Sequence, residues 1–152
     1  MEKTYGTNKK AYFEYVVIEK FDAGMELFGH EVKSIKKEQI NLGGAYVILK
    51  NSEVFLINAT IPPYQPKNTP KNYDSQRSRK LLLTKKEMAY LSGKSKEKGL
   101  TLLPLRCYIK GRFIKLEFGL AKKKKAYDKR ESIRKKETKR NIGKELKVYQ
   151  KA

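Results

Sequence analysis

The chain has 152 residues with 36 Lys and Arg against 16 Asp and Glu, a formal net charge of +20. That length suits one ordinary domain plus a short extension, and its apolar runs fall short of the ~20 residues a bilayer span requires. One cysteine, Cys107, and one histidine, His30, exclude an intramolecular disulfide and a His/Cys metal cluster.

The first several residues, through Asn8-Lys9-Lys10, read as a loose basic lead-in, and Asn8-Lys9-Lys10 could reach a phosphate backbone. From Tyr12 the chain turns β-rich, with Phe13, Tyr15 and Val17 expected on one face of a strand and Glu14 on the other. Asp22-Ala23-Gly24 is expected to bend the chain, although a carboxylate at Asp22 can also accept from base amino groups or ribose hydroxyls. From Gly29 the period changes. Val32 and Ile35 at helical spacing, with Lys33, Lys36 and Lys37 elsewhere, predict a short helix with one apolar edge. His30 beside Glu31 makes no dyad, because neighbours on a helix diverge by about 100°. A structural or surface role is expected for it.

Ala45-to-Leu49 and Val54-to-Ile57 flank Lys50-Asn51-Ser52-Glu53, the pattern of a hairpin. Residues 65–78, with Pro66 and Pro70 and no periodicity, predict a surface loop long enough to carry function. Arg77-Ser78-Arg79-Lys80 then precedes Leu81-Leu82-Leu83, a basic cluster beside an apolar anchor. In an extended segment both arginines point the same way, as bidentate phosphate contacts demand. Thr84-Lys85-Lys86-Glu87 is a capping box that starts a helix, with Leu83 and Met88 placed as a hydrophobic staple. A second hairpin follows, Leu100-to-Ile109 and Phe113-to-Phe118 around Lys110-Gly111-Arg112, with Pro104 marking an edge or bulge.

The fold expected is mainly β: an antiparallel, closed or partly closed barrel with two or three short helices over its ends. The folded domain is assigned to residues 1–120. Residues 121–152 hold 14 Lys and Arg, 4 Asp and Glu, and little to bury, so this basic tail is expected to be disordered when free. A dense phosphate array is its natural partner, since each contact releases condensed counterions. Stable binding to a membrane needs an acyl chain or an apolar helical face, and neither pattern occurs. Met1-Glu2-Lys3-Thr4 precedes no apolar signal core, so cytoplasmic residence is expected. Neither G-x-x-x-x-G-K-[ST] nor G-x-G-x-x-G is present. No catalytic residue, metal or cofactor is expected. Tyr5, Tyr12, Tyr46, Tyr64, Tyr73 and Tyr127 are candidates for stacking on unpaired bases, with packing the commoner role for any one of them.

Asn8-Lys9-Lys10-Ala11, Phe21-Asp22-Ala23-Gly24-Met25, Gly29-His30-Glu31-Val32-Lys33-Ser34, Arg77-Ser78-Arg79-Lys80-Leu81-Leu82-Leu83 and Ala121-to-Arg130, in that order, resemble the SsrA-binding (small protein B) family of bacterial trans-translation. The resemblance implies an oligonucleotide-binding-like barrel and an adaptor that binds the tRNA-like domain of tmRNA and delivers it to stalled ribosomes. It implies elongation factor Tu with aminoacyl-tmRNA as a further partner. It suggests Asn8, Lys9, Asp22, Leu82 and Lys115 for the tmRNA surface, with Leu82 as a core support. To these the basic clusters add Lys10, Arg77, Arg79 and Lys80. For the tail it suggests Lys124, Lys125, Tyr127, Asp128, Lys129 and Arg130 at the decoding site and empty mRNA channel. A monomer is expected. The chain departs from the family pattern where Lys-Gly-Lys-Lys becomes Lys122-Lys123-Lys124-Lys125. Tyr127 replaces a histidine and cannot become cationic, and Asp22 stands where relatives often have Glu. A general basic ribosomal or nucleoid protein is the alternative. A nuclease or RNA-modifying enzyme is the third class, for which the sequence offers no site.

Overall fold

The computed structural model describes residues 2–125. Seven strands and three helices follow in the order β1 (Glu2–Thr7), α1 (Lys9–Glu14), β2 (Tyr15–Met25), α2 (Gly29–Lys36), β3 (Tyr46–Lys50), β4 (Glu53–Ile57), β5 (Arg79–Leu82), α3 (Lys85–Lys94), β6 (Leu100–Lys110) and β7 (Phe113–Lys123). A single 3₁₀ turn, Pro66–Asn68, interrupts the long loop before β5.

Antiparallel pairing runs β6–β3–β4–β5–β2–β7 and returns from β7 to β6, which closes a six-stranded barrel. Strand β6 is long enough to serve two neighbours on one side. Its start meets β3 at Val47↔Leu102, and its second half pairs with β1 from Thr7↔Arg106 to Glu2↔Lys110. Closure removes the exposed edges that an open sheet of this size would carry. Inward alternation places Val54, Leu56, Leu81, Leu116, Phe118 and Leu120 in the core. Ile35 of α2 and Leu91 of α3 enter the same core with no exposed surface.

The expected hairpins are present. Asn51 and Ser52 both take positive φ, 52° and 60°, the tight turn whose twist matches β3 and β4. The Thr84–Glu87 capping box starts α3: Glu87 N–H donates to the Thr84 hydroxyl at 3.2 Å, and Thr84 N–H donates to the Glu87 carboxylate at 3.1 Å. Pro104 sits at a bulge, where the β6–β7 register shifts before Arg106.

Four local expectations are corrected. The amino-terminal lead-in is ordered: residues 2–7 form strand β1, Asn8 caps α1, and Lys9 and Lys10 open that helix. Residues 12–14, expected in a strand, close helix α1, because Asn8 caps its start and Ala11 buries itself against Leu103, Leu105 and Ala121. Asp22-Ala23-Gly24 is straight strand, held by pairing of Asp22 to Glu117 and of Gly24 to Lys115. Strand β7 also runs past Leu120 to Lys123, with Ala121 buried.

Candidate nucleic-acid interface

The outer face of β2, β7 and β6 is ordered by register. One cross-strand row reads Asp22–Glu117–Arg106, and the next reads Gly24–Lys115–Tyr108. Strand β5 extends the second row, because Leu82 pairs with Gly24 and its side chain lies over the glycine. Toward the other end of the face sits α1, over the small cluster of Leu103, Leu105, Ala121 and Val17. Gly119 marks how closely these pack, since a Cβ there would lie 2.9 Å from Val17 Cγ1. Tyr12 of α1 reaches back toward the polar rows, with Lys20 Nζ 5.8 Å from its ring centroid.

Each polar group on the face has a defined posture. Tyr108 Oη donates to Asp22 Oδ1 at 2.7 Å, which fixes the carboxylate and leaves its second oxygen to accept from an incoming group. Burial, and then the hydrogen bond and charge of Asp22, push the Tyr108 phenol well above its usual range, so it stays a donor. Arg106 lies flat on Tyr108, its guanidinium carbon 4.1 Å from the ring centroid. It donates to Glu117 at 3.2 Å, Glu2 at 3.2 Å and Thr4 at 3.0 Å. Lys20 adds a longer contact to Glu117 at 3.8 Å. Lys115 takes part in no ion pair among the described residues, so its charge is presented outward. The result is a fixed acceptor, a presented cation and a stacked Arg–Tyr pair beside an exposed leucine.

The structure therefore brings together Asp22, Leu82 and Lys115. Leu82 is 49% exposed and belongs to this surface, which corrects its assignment as a core support. Leu81 is the residue that points inward, at 2%. Lys9 and Lys10 are exposed on α1, while Asn8 is buried. Asn8 Oδ1 accepts from Ala11 N–H at 3.2 Å and Nδ2 donates to the Pro104 carbonyl at 2.9 Å. Both ends of that side chain are engaged in seating α1, so it helps position the surface.

Arg77 and Arg79 are corrected as well. Arg79 has no exposed surface. Its guanidinium donates to Glu31 Oε2 at 2.7 Å and 3.1 Å, to the Ala59 carbonyl at 2.6 Å and to the Ser75 carbonyl at 2.9 Å. Arg77 donates to both oxygens of the same carboxylate and stacks on Phe28 at 4.2 Å. Tyr73 Oη stands within donating reach of Glu31 Oε2, at 2.9 Å, and of the Ile61 carbonyl, at 2.8 Å. Burial would raise the Glu31 pKa. The hydrogen bonds from Arg77, Phe28 N–H and Arg79 outweigh it and hold the carboxyl down at about 2. This network pins the loop of residues 65–78 to α2 and β5. It takes the buried Arg79 out of the phosphate-binding set and engages Arg77 and Tyr73 with the same carboxylate.

Lys80 pairs with Glu53 at 3.4 Å. Tyr12 and Tyr46 are 40% and 39% exposed and remain open to stacking, while Tyr5 packs on the core and Tyr64 lies beneath Lys33. His30 packs edge-on against Tyr73 at 4.6 Å, and its neighbour Glu31 is engaged by the arginines. At the chain's exit from the barrel, Lys124 N–H donates to the Glu14 carbonyl at 2.8 Å. Lys123 pairs with Tyr15 where the family pattern has its glycine. Lys125 is exposed, and Tyr127, Asp128, Lys129 and Arg130 lie outside the described residues. Arg106 and Tyr108 were missed by sequence reading, because their partners Glu117, Glu2 and Asp22 are reached only through strand pairing.

A closed antiparallel barrel of this size, with helices on its surface and a fixed polar face on a strongly cationic chain, defines a small nucleic-acid-binding β-barrel protein. The family model described as SmpB protein matches residues 5–148. The SsrA-binding protein of Carboxydothermus hydrogenoformans is 47% identical over 148 residues, 97% of this chain and 99% of that one. The SsrA-binding protein of Geotalea uraniireducens is 48% identical over 146 residues, 96% of each chain. A chain from the solved structure described as "tmRNA-SmpB: a journey to the center of the bacterial ribosome" superposes with a TM-score of 0.68 at 38% identity, covering 85% of this chain and 94% of its own. The chain belongs to the SmpB family.

Proposed function

We propose that the protein is the RNA-binding adaptor of trans-translation in its cell, binding the tRNA-like domain of tmRNA and bringing it to stalled ribosomes. Membership of the SmpB family supports the adaptor role. The convergence of Asp22, Leu82 and Lys115 on one outer face carries the reading at the level of residues. Lys115 meets a phosphate, Asp22 accepts from an exposed base or a ribose hydroxyl, and Leu82 packs on a sugar or base face. Lys9, Lys10 and Tyr12 extend the surface along α1, and Lys80 extends it along β5.

The basic tail serves the ribosome. Lys124, Lys125, Tyr127, Asp128, Lys129 and Arg130 engage the decoding site, and the residues beyond them enter an mRNA channel empty of message. A channel that holds message excludes them by volume, which confines the adaptor to stalled ribosomes. The protein acts in the cytoplasm as a monomer without cofactor or catalysis of its own, alongside elongation factor Tu with aminoacyl-tmRNA.

Peptidyl transfer to aminoacyl-tmRNA on ribosomes stalled at the end of a truncated message tests the reading. Transfer that depends on added protein is expected. Transfer at the same rate without it would remove the adaptor role.

A further inference from the structure

Beside the outer face, a groove of about 880 Å³ runs between α3 and the turn of the β3–β4 hairpin. Its apolar floor includes Leu49, Leu83 and Met88, all part-buried against the core. Its rim carries Lys50 from the hairpin and Lys85 and Lys96 from α3 and the turn after it, all three exposed. None of the three takes part in an ion pair among the described residues. The one acid lining the groove is Glu53, and it is occupied by Lys80 at 3.4 Å. Asn51 and Ser52 add amide and hydroxyl donors along the same rim.

We propose that this groove holds a second stretch of RNA backbone, continuous with the strand gripped on the outer face. The proposal rests on the RNA-binding reading and enlarges its footprint. Two observations select this occupant. Leu82 is shared: its side chain lies over Gly24 on the outer face and also lines the groove, so one ligand passes from the first surface to the second. The lining also has the composition of a phosphate site. Protein interfaces favour Trp, Tyr, Phe and Arg and are depleted in Lys. Among the described residues that line this groove there is no aromatic ring and no arginine, but there are four lysines. Three unpaired ammonium groups around the groove offer point charges to successive phosphates, and the leucine and methionine floor accommodates ribose. The groove thereby reads backbone and shape, while Asp22 supplies contact with a base or sugar on the neighbouring face.

The test combines Lys50→Gln, Lys85→Gln and Lys96→Gln in the full chain. Affinity for tmRNA is measured across a salt series, beside wild type and Lys115→Gln. Each lost phosphate contact lowers the slope of log K against log salt by about 0.7–0.9, so the triple variant is expected to lose about 2–3 in slope. Its urea midpoint should be unchanged, because the three side chains support no packing. A wild-type slope in the triple variant, with Lys115→Gln weakened, would overturn the groove while leaving the outer-face reading intact. Failure of wild type itself to select tmRNA would remove both.

A second measurement locates the strand. Ala89→Cys, exposed on the groove wall, can carry an iron chelate for hydroxyl-radical cleavage. The native Cys107 is buried and its thiol is pushed up to about 12 by that burial, so it escapes labelling. Cleavage of one short stretch of tmRNA is expected, and uncleaved RNA in a saturated complex would refute the proposal.

Discussion

Glu31→Gln isolates the charge at the centre of the barrel's polar network. The amide is nearly isosteric and can still accept from Phe28 N–H, a bond of 2.8 Å in the native chain. What disappears is the counter-charge for Arg79, which has no exposed surface, and for Arg77. Breaking a buried pair by removing one partner costs about 3–5 kcal/mol. The pKa of Glu31 gives an independent figure. A fall from 4.5 to about 2 corresponds to about 3 kcal/mol at 1.36 kcal/mol per unit. Against a typical total of about 5–15 kcal/mol, such a loss is severe. With m near 2 kcal/mol/M, the urea midpoint at pH 7 should fall by roughly 1.5–2.5 M. The pH dependence has a defined sign. Because the folded carboxyl titrates below its unfolded value, its contribution is full above about pH 4.5 and is lost as pH falls from there toward about 2. The gap between wild type and variant should therefore close over that window. A midpoint shift below about 0.3 M, or a gap independent of pH, would refute this account of the network.

Three other variants probe separate parts. Asn8→Ala should cost about 1 kcal/mol through the lost cap, and somewhat more through the lost hydrogen bond to the Pro104 carbonyl. The urea midpoint reads this, while the RNA slope against salt should stay unchanged. Asp22→Asn keeps the hydrogen bond from Tyr108 within reach but halves the acceptor set, and should cost about 1–3 kcal/mol of tmRNA discrimination in competition binding with little change in stability. Changing Asp128, Lys129 and Arg130 together to Ala should leave tmRNA affinity within about twofold and abolish peptidyl transfer on stalled ribosomes; normal tagging would contradict the decoding-site assignment.

What could be read from the sequence was local. The hairpin turn at Asn51-Ser52, the Thr84–Glu87 box and the Pro104 bulge each announce themselves within a few residues, and the structure has all three. Helix α1 was hidden because Tyr12 and Phe13 carry strand propensity, while the forces that fold it are an Asn8 cap anchored on β6 and the burial of Ala11 against β6 and β7. The same limit governs the surface. Arg77 and Arg79 in an extended segment look like a phosphate fork, and only a carboxylate 46 and 48 positions away reveals that both are engaged within the fold, Arg79 with no exposed surface. Period-2 alternation says that Leu81 and Leu82 face opposite ways, but not which of them meets the core; the closed barrel decides that. Tyr108 and Asp22, 86 residues apart, meet through β7, which lies between their strands.

The most direct test of the central claim is competitive binding of the full chain to tmRNA against excess bulk tRNA and ribosomal RNA fragments, over a salt series. The outer-face account predicts a tmRNA-selective complex that survives moderate salt and loses its selectivity in Asp22→Asn. Equal competition by every RNA, with a steep salt dependence throughout, would contradict it and leave a phosphate-binding basic protein.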